Sequence, residues 1–505
     1  MKRYILNLLL ICAGALSLSS CHKDLDIVYG MTLNSTNMWK DPSDLEQSVP
    51  GIYLRLRNYF SANECNVFYL GEIRVGDSMW GPSLESKVAD NFKIACRHST
   101  LNGAQTIGWS GLYSAIDQAN AVIKYADQCR ASQSIVDWAL AQAYFARAYS
   151  YFWAGRTWGY CPINLLPVES TTQPECYPEQ HTPAEVYAQV ESDIAECEKL
   201  AASLGTSKYM ATADALMMLK AEYALWMYTT QNGGSSYLSM AESALDAIGI
   251  SSAKLLSNYA DVFSRTNKVN SEVIFALNNN ATSKAGYQLY FCHPANLIAA
   301  AYQNKNGGPV PINSTQWWAY PQSFVDYLKA SEKAGDTRVA TNLGYGPYSS
   351  ATDKHEITWC NKFLGDMSKA PVVLDNDLFY YRYGQAVMMY AELKYYQKDY
   401  AAANKALNII AKRAYGVDSK YTSTNAADVY DALINEYKLE FPAEGVIWFA
   451  LIRTGAIWSI APNSEQPDVT FEALKAKNPN ILLWPIANGS INKNPEHIHQ
   501  VEGWS

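Results

Sequence analysis

Histidine is scarce in this chain, seven among 505 residues, and the few present make no metal-binding pattern. His355-Glu356-Ile357-Thr358-Trp359 opens like a zinc-protease helix but lacks the second histidine, so two ligands on one helical face cannot form. His497 and His499 are two apart, which suits neither face of a helix, and they read as loop histidines. The ten cysteines include no CxxC pair, which removes zinc ribbons and dithiol redox motifs. The glycine patterns that cradle phosphates or set a nucleophile elbow (GxGxxG, the P-loop, GxSxG) are missing as well. Ser251-Ser252-Ala253-Lys254 matches Ser-x-x-Lys without any companion motif. Acids are plentiful enough for a glycosidase pair, but no two stand out by context. No cofactor is expected; structural calcium on the loop Asp and Asn residues stays open, without an EF-hand spacing to support it.

Basic residues are also in the minority, 40 Lys and Arg against 48 Asp and Glu, a formal net charge of −8. Such a chain is a poor partner for nucleic acid, whose binding relies on cations that neutralise phosphates. No block of like charge suggests a tail.

The strongly apolar stretch near the N-terminus, Ile5 to Leu18, is shorter than the roughly 20 residues of a membrane span. It follows Lys2 and Arg3 and ends in Leu18-Ser19-Ser20-Cys21. A basic start, a short apolar run and small residues before a cut read as a secretory signal. The Leu-small-small-Cys order looks like the bacterial lipobox, with residues 1–20 removed and Cys21 lipidated. Two or more acyl chains give stable anchoring, so the mature chain would be tethered rather than spanning. Eight cysteines remain beyond Cys12 and Cys21. Their scatter through apolar stretches fits buried small side chains, while an exported protein could pair some of them.

Half of the residues are apolar, and most of the chain reads as helix. Leu112, Ile116, Ala119 and Ile123 recur at helical spacing. Ser134 to Trp153 is rich in Ala and aromatics on nearly every face, the mark of a buried helix. Thr182-Pro183-Ala184-Glu185 is a helix start with a capping box. Leu378–Tyr415 is expected to form a helical hairpin turning at Gln397-Lys398-Asp399. Small residues facing aromatics across such pairs suggest a degenerate tetratricopeptide array, with pairs over about 110–153, 184–228, 237–265 and 378–413. Residues 60–108, 155–180 and 280–375 are loop-rich, and loops on a rigid scaffold are where binding usually sits.

Several segments read together: "WSGLYSAIDQANAVI" (109–123), "AQAYFARAYSYFWAGRTWGYCPI" (141–163) and "YYRYGQAVMMYAELKYY" (380–396). "INEYKLEFPAEGVIWFALIRTG" (434–455) and "LLWPIANGSINKNP" (482–495) follow in order. Together they resemble the SusD/RagB family of Bacteroidetes outer-membrane lipoproteins. Arg382–Glu392, Glu440–Phe449 and the Asp-x-Arg at Asp336 and Arg338 carry the resemblance most specifically, and Ala450 departs from it where the family usually has an acid. The polar lead His22-Lys23-Asp24-Leu25-Asp26 resembles that family's surface-export signal.

The resemblance implies a mostly helical fold with four tetratricopeptide-like pairs in one domain over 21–505. It implies a cell-surface protein, lipid-anchored in the outer membrane, that is not an enzyme. Such a protein binds oligosaccharides, or in some cases peptides, and passes them to a SusC-type TonB-dependent transporter. A helical glycoside hydrolase or lyase is the competing reading. A sugar site needs exposed aromatic faces beside groups that bond hydroxyls. Two loop clusters qualify: Asp77 with Trp80, and Asn296 to Tyr320, with Asn296, Tyr302, Asn304, Asn306, Gln316, Trp317 and Trp318. Of the adjacent tryptophans, at least one is expected to face outward. Trp109 is a further candidate, whereas Trp153 and Trp158 read as structural.

Overall fold

The computed structural model describes residues 38–61, 66–79, 81–82, 101–104, 106–280, 289–292, 316, 318–347, 356–369, 372–462 and 468–504. Helices dominate. In chain order the principal ones are α1 (Pro42–Phe60), α2 (Asn66–Gly71), α3 (Ser110–Tyr125), α4 (Gln133–Trp158), α5 (Pro183–Lys199) and α6 (Ala213–Thr230). They continue as α7 (Ser235–Ile248), α8 (Gln322–Lys333), α9 (Tyr383–Tyr396), α10 (Tyr400–Tyr415), α11 (Ala426–Glu440) and α12 (Ile447–Thr454). The strands among the described residues are short and form antiparallel pairs: β1 (Gly81–Pro82) with β5 (Trp318–Ala319), β2 (Cys161–Pro162) with β3 (Gln180–His181), β4 (Val273–Leu277) with β8 (Leu378–Arg382), and β6 (Gly344–Pro347) with β7 (Glu356–Trp359).

The start of α5 is the one its sequence predicts. Thr182 accepts from Glu185 N, Glu185 reaches back to Thr182 N at 2.8 Å, and Pro183 occupies the first turn. Helix α4 is buried on nearly every face from Ala139 to Trp158, including Trp153 and Trp158. It packs along both α3 and α5. Gly155 makes the second contact possible, because a Cβ there would meet the Tyr187 ring at 2.8 Å. Two arginines enter this apolar helix with partners: Arg147 is bidentate to Asp193 at 2.7 and 2.9 Å, and Arg156 meets Glu222 at 2.6 Å.

The pairing departs from expectation in three places. Helix α5 packs on α4 and α6 on α7, so 184–228 is not one tight hairpin. The pair expected over 237–265 is a single helix, because Gly249 takes φ +77° and stops it; short 3-10 turns follow. The hairpin expected from Leu378 begins instead with β8, whose five residues are all buried against β4. Its turn is as expected: Lys398 is left-handed and Asp399 caps α10 through Ala402 N. Two helices were not legible. Helix α1 begins with Asp44 bonded back to Asp41 N at 3.0 Å, but Pro50 and Gly51 interrupt its pattern. Helix α8 lies inside the loop-rich 280–375 stretch and buries only Phe324, Val325 and Leu328.

Candidate functional site

The pairing of β1 with β5 joins the two loop clusters singled out in the sequence. Gly81 faces Ala319 and Pro82 faces Trp318, across more than two hundred residues of chain. Asp77 lies in the 3-10 turn Ile73–Ser78, directly before β1. Residues 81–82 and 318–319 therefore share one small sheet.

Three candidate side chains face inward. Trp318 is 1 % exposed and packs on Phe68 and Tyr69, with ring centroids 5.3 and 5.9 Å apart. Gln316 is fully buried and donates to the carbonyl of Thr358 at 2.7 Å. Trp109 is 7 % exposed and stands edge-on to Trp158 at 5.6 Å. None of the three offers a free ring face or amide to a sugar, because the core already holds them. Trp80, Asn296, Tyr302, Asn304, Asn306, Trp317 and Cys21 lie outside the described residues.

The turn that leads into β1 is fastened to the C-terminal part of the chain. The Glu72 carboxylate accepts from Ala443 N at 2.6 Å and Gly445 N at 2.9 Å. Arg74 is buried beneath the Trp448 and Trp484 rings, 4.5 and 5.1 Å from their centroids. It donates to the carbonyls of Leu482 and Leu483 at 3.2 and 2.9 Å and also to that of Ile481. Burial pulls its guanidinium well below the usual value.

The motifs that carry the family resemblance turn out to be structural. Arg338 donates to Asp336, Glu436 and Glu440 at 2.7 to 2.9 Å. Arg382 donates to Glu272 at 2.9 Å, Glu440 at 2.8 Å and Glu444 at 2.6 Å. Arg413 bridges Glu272 and Glu440, and Lys362 reaches Glu444 at 2.7 Å. All these side chains are buried. Burial alone would raise the Glu440 carboxyl, but Arg413, Arg382 and Arg338 outweigh it and hold it well below the usual range. The other end of the α9 motif is paired too, with Glu392 accepting from Arg453 at 2.9 and 3.0 Å and from Tyr437 at 2.7 Å. In the sequence these residues stand out as marks of a family, but the distant partners of Arg338, Arg382 and Glu392 do not. The available signal was charge inside otherwise apolar helices, which is rare unless paired.

Two open concavities lie elsewhere on the described surface. One, about 500 Å³, is lined by Asn404, Lys405, Asn408 and Tyr421 along α10. The other, about 520 Å³, is lined by Asn164, Tyr177, His181 and His497, with Tyr177 57 % exposed. Among the described residues no three His, Cys, Asp or Glu side chains gather as a metal site, and no helix is long and apolar enough to cross a membrane.

Comparison with known proteins agrees with the motif reading. Residues 257–504 match the family model described as the SusD family, and residues 59–224 match one described as starch-binding associating with outer membrane. A SusD-like protein, P38, from Formosa agariphila is 22 % identical over 516 aligned positions, covering 97 % of this chain and 96 % of that protein. Among solved structures, a SusD superfamily protein from Bacteroides fragilis superposes with a TM-score of 0.76 at 21 % identity, covering 92 % of this chain and all of that one. Surface glycan-binding protein A from Bacteroides thetaiotaomicron, solved in complex with laminarihexaose, superposes at 0.71 with 19 % identity, covering 92 % of this chain and 99 % of that one. With its two family models spanning most of the chain, its helical-hairpin fold and its paired Arg382, Glu392 and Glu440 motifs in place, the chain belongs to the SusD/RagB family.

Proposed function

We propose that this protein is a lipid-anchored, cell-surface glycan-binding protein that captures oligosaccharides and hands them to a SusC-type TonB-dependent transporter. The observation that favours this site is the β1–β5 pairing, which sets Gly81–Pro82, just after the Asp77–Trp80 cluster, beside Trp318–Ala319, at the end of the Asn296–Tyr320 cluster. Sugar rings stack their apolar faces on flat aromatics, and Trp80 and Trp317 are the tryptophans of the two clusters left to supply such faces once Trp318 is spent on the core. Support also comes from the relative that was solved with laminarihexaose, and from the family model whose description names outer-membrane association. The Leu18–Cys21 lipobox supplies the anchor.

The protein acts by binding rather than by catalysis, and the reading invokes no cofactor. Affinity electrophoresis of residues 22–505 through gels containing a panel of polysaccharides tests it. Retardation by at least one glycan is expected, and it should weaken in Trp80→Ala and Trp317→Ala. Incubation with the same glycans should release no new reducing ends. Sustained release would sink the binding-only reading, and retention of peptides alone would replace glycan with peptide as cargo.

A further inference from the structure

Six cysteines fall within the described residues, and the sulfurs of four of them point at backbone carbonyls. Cys129 Sγ donates to Tyr125 O at 3.7 Å and Cys161 Sγ to Gly159 O at 3.8 Å. Cys176 Sγ donates to Ser170 O at 3.1 Å and Cys197 Sγ to Ala141 O at 3.3 Å. The other two meet each other. Cys292 ends the single helical turn Leu289–Cys292, and Cys360 directly follows β7. Cys360 N donates to Phe291 O at 3.0 Å, which sets the two chain segments side by side. Both side chains are fully buried, and the Cys292 thiol hydrogen-bonds the Cys360 sulfur. The Tyr320 hydroxyl bonds the same sulfur, and Lys362 lies close to it. Burial alone would raise the Cys360 thiol, but these neighbours together bring it below its ordinary value.

Two thiols in contact inside a core are inert in a reducing compartment and become a cross-link in an oxidising one. We propose that Cys292 and Cys360 form a disulfide in the exported protein. The inference rests on the reading of residues 1–21 as an export signal. The oxidant is the disulfide of a thioredoxin-fold oxidoreductase of the cell envelope. The Cys360 thiolate attacks one sulfur of that disulfide, whose S–S bond breaks as a mixed disulfide forms. The Cys292 thiolate then attacks the Cys360 sulfur, and the oxidant leaves as its dithiol. The two cysteines lose two electrons and two protons, and the oxidant gains both. The exchange precedes closure of the core, because neither sulfur can be reached in the folded protein.

The bond closes the loop that carries most of the second candidate cluster. It ties residue 292, four before Asn296, to the residue that follows β7, the strand whose Thr358 already holds Gln316.

The test uses the full chain expressed in a bacterium that exports it. Membrane-fraction protein is quenched in acid, denatured, alkylated without reductant, digested and weighed by mass spectrometry. The expected result is one linked peptide pair joining Cys292 to Cys360, separated by dithiothreitol, with Cys129, Cys161, Cys176 and Cys197 alkylated. Cys292→Ser should leave Cys360 open to alkylation and lower the urea midpoint to that of the reduced wild type. Alkylation of both cysteines in membrane-fraction protein overturns the proposal, as does linkage of either to Cys65 or Cys96. If the chain never reaches the membrane fraction, the export reading fails on its own. The pair is then judged on purified chain refolded in a glutathione redox buffer, where selective 292–360 linkage upholds it and its absence overturns it.

Discussion

Arg382 and Glu440 are joined twice. The Arg382 guanidinium donates to the Glu440 carboxylate at 2.8 Å and to the Glu440 backbone carbonyl at 3.0 Å, so one side chain fixes both the charge and the end of α11. Removing one partner of a buried pair leaves an uncompensated charge and costs about 3–5 kcal/mol. Glu440→Gln should therefore destabilise the fold by about that much in urea denaturation, because Arg413 and Arg338 lose a counter-charge as well. A loss near zero would mean that the three cations find other partners.

The same carboxylate sets an acid limit. Its folded-state value is depressed, so its contribution is complete above the unfolded carboxyl value of about 4.3 and is lost as pH falls below it. Asp336 is depressed too, where the Arg338 guanidinium outweighs its burial, and it acts with the same sign. Melting temperature followed from pH 7 to pH 3 should drop steeply in the acid range, and Glu440→Gln should flatten that drop. An unchanged slope in the variant would assign the acid sensitivity to other carboxylates.

Trp318 and the tryptophan before it should separate cleanly. Trp318→Ala empties a core position beside Phe68 and Tyr69 and should cost about 3–5 kcal/mol of stability. Trp317→Ala should leave the melting temperature nearly unchanged while weakening glycan retardation. The reverse pattern would place the ligand elsewhere.

Gly445 follows the last acid of the Glu440–Phe449 motif and takes φ +70°. A Cβ there would strike the carbonyl of Val67, in α2. Gly445→Ala combines a strained backbone, of order 1–3 kcal/mol, with that clash. It should loosen the contact that Glu72 makes with the same turn, and faster amide exchange at residues 443–445 would report it.

Cys21→Ala should move the protein from the membrane fraction to the soluble one without changing its glycan binding. Retention on the membrane would remove lipidation as the anchor.

What the sequence made legible was mostly local. The capping box at Thr182, the turn at Gln397-Lys398-Asp399 and the all-round burial of α4 are written within a few residues of where they act. The pairing of Gly81 with Ala319 was not, since short strands without alternation carry no register. Trp318 could be ranked beside Trp317 but not turned inward, because its burial depends on Phe68, far away in the chain. The charged motifs were visible as a signature, yet much of their chemistry lay in partners as far as 110 residues away.

Those distances carry a consequence for how the protein is made. Arg338 cannot reach Glu440 until 102 more residues have emerged, and Glu272 waits 110 residues for Arg382. A nascent chain shorter than 444 residues holds cations and acids destined for a dry interior with some of their counterparts still unsynthesised. Burying that region earlier would leave cations without some of their counter-charges, which costs free energy. The ionic centre thus ties closure of that region to the synthesis of Glu444.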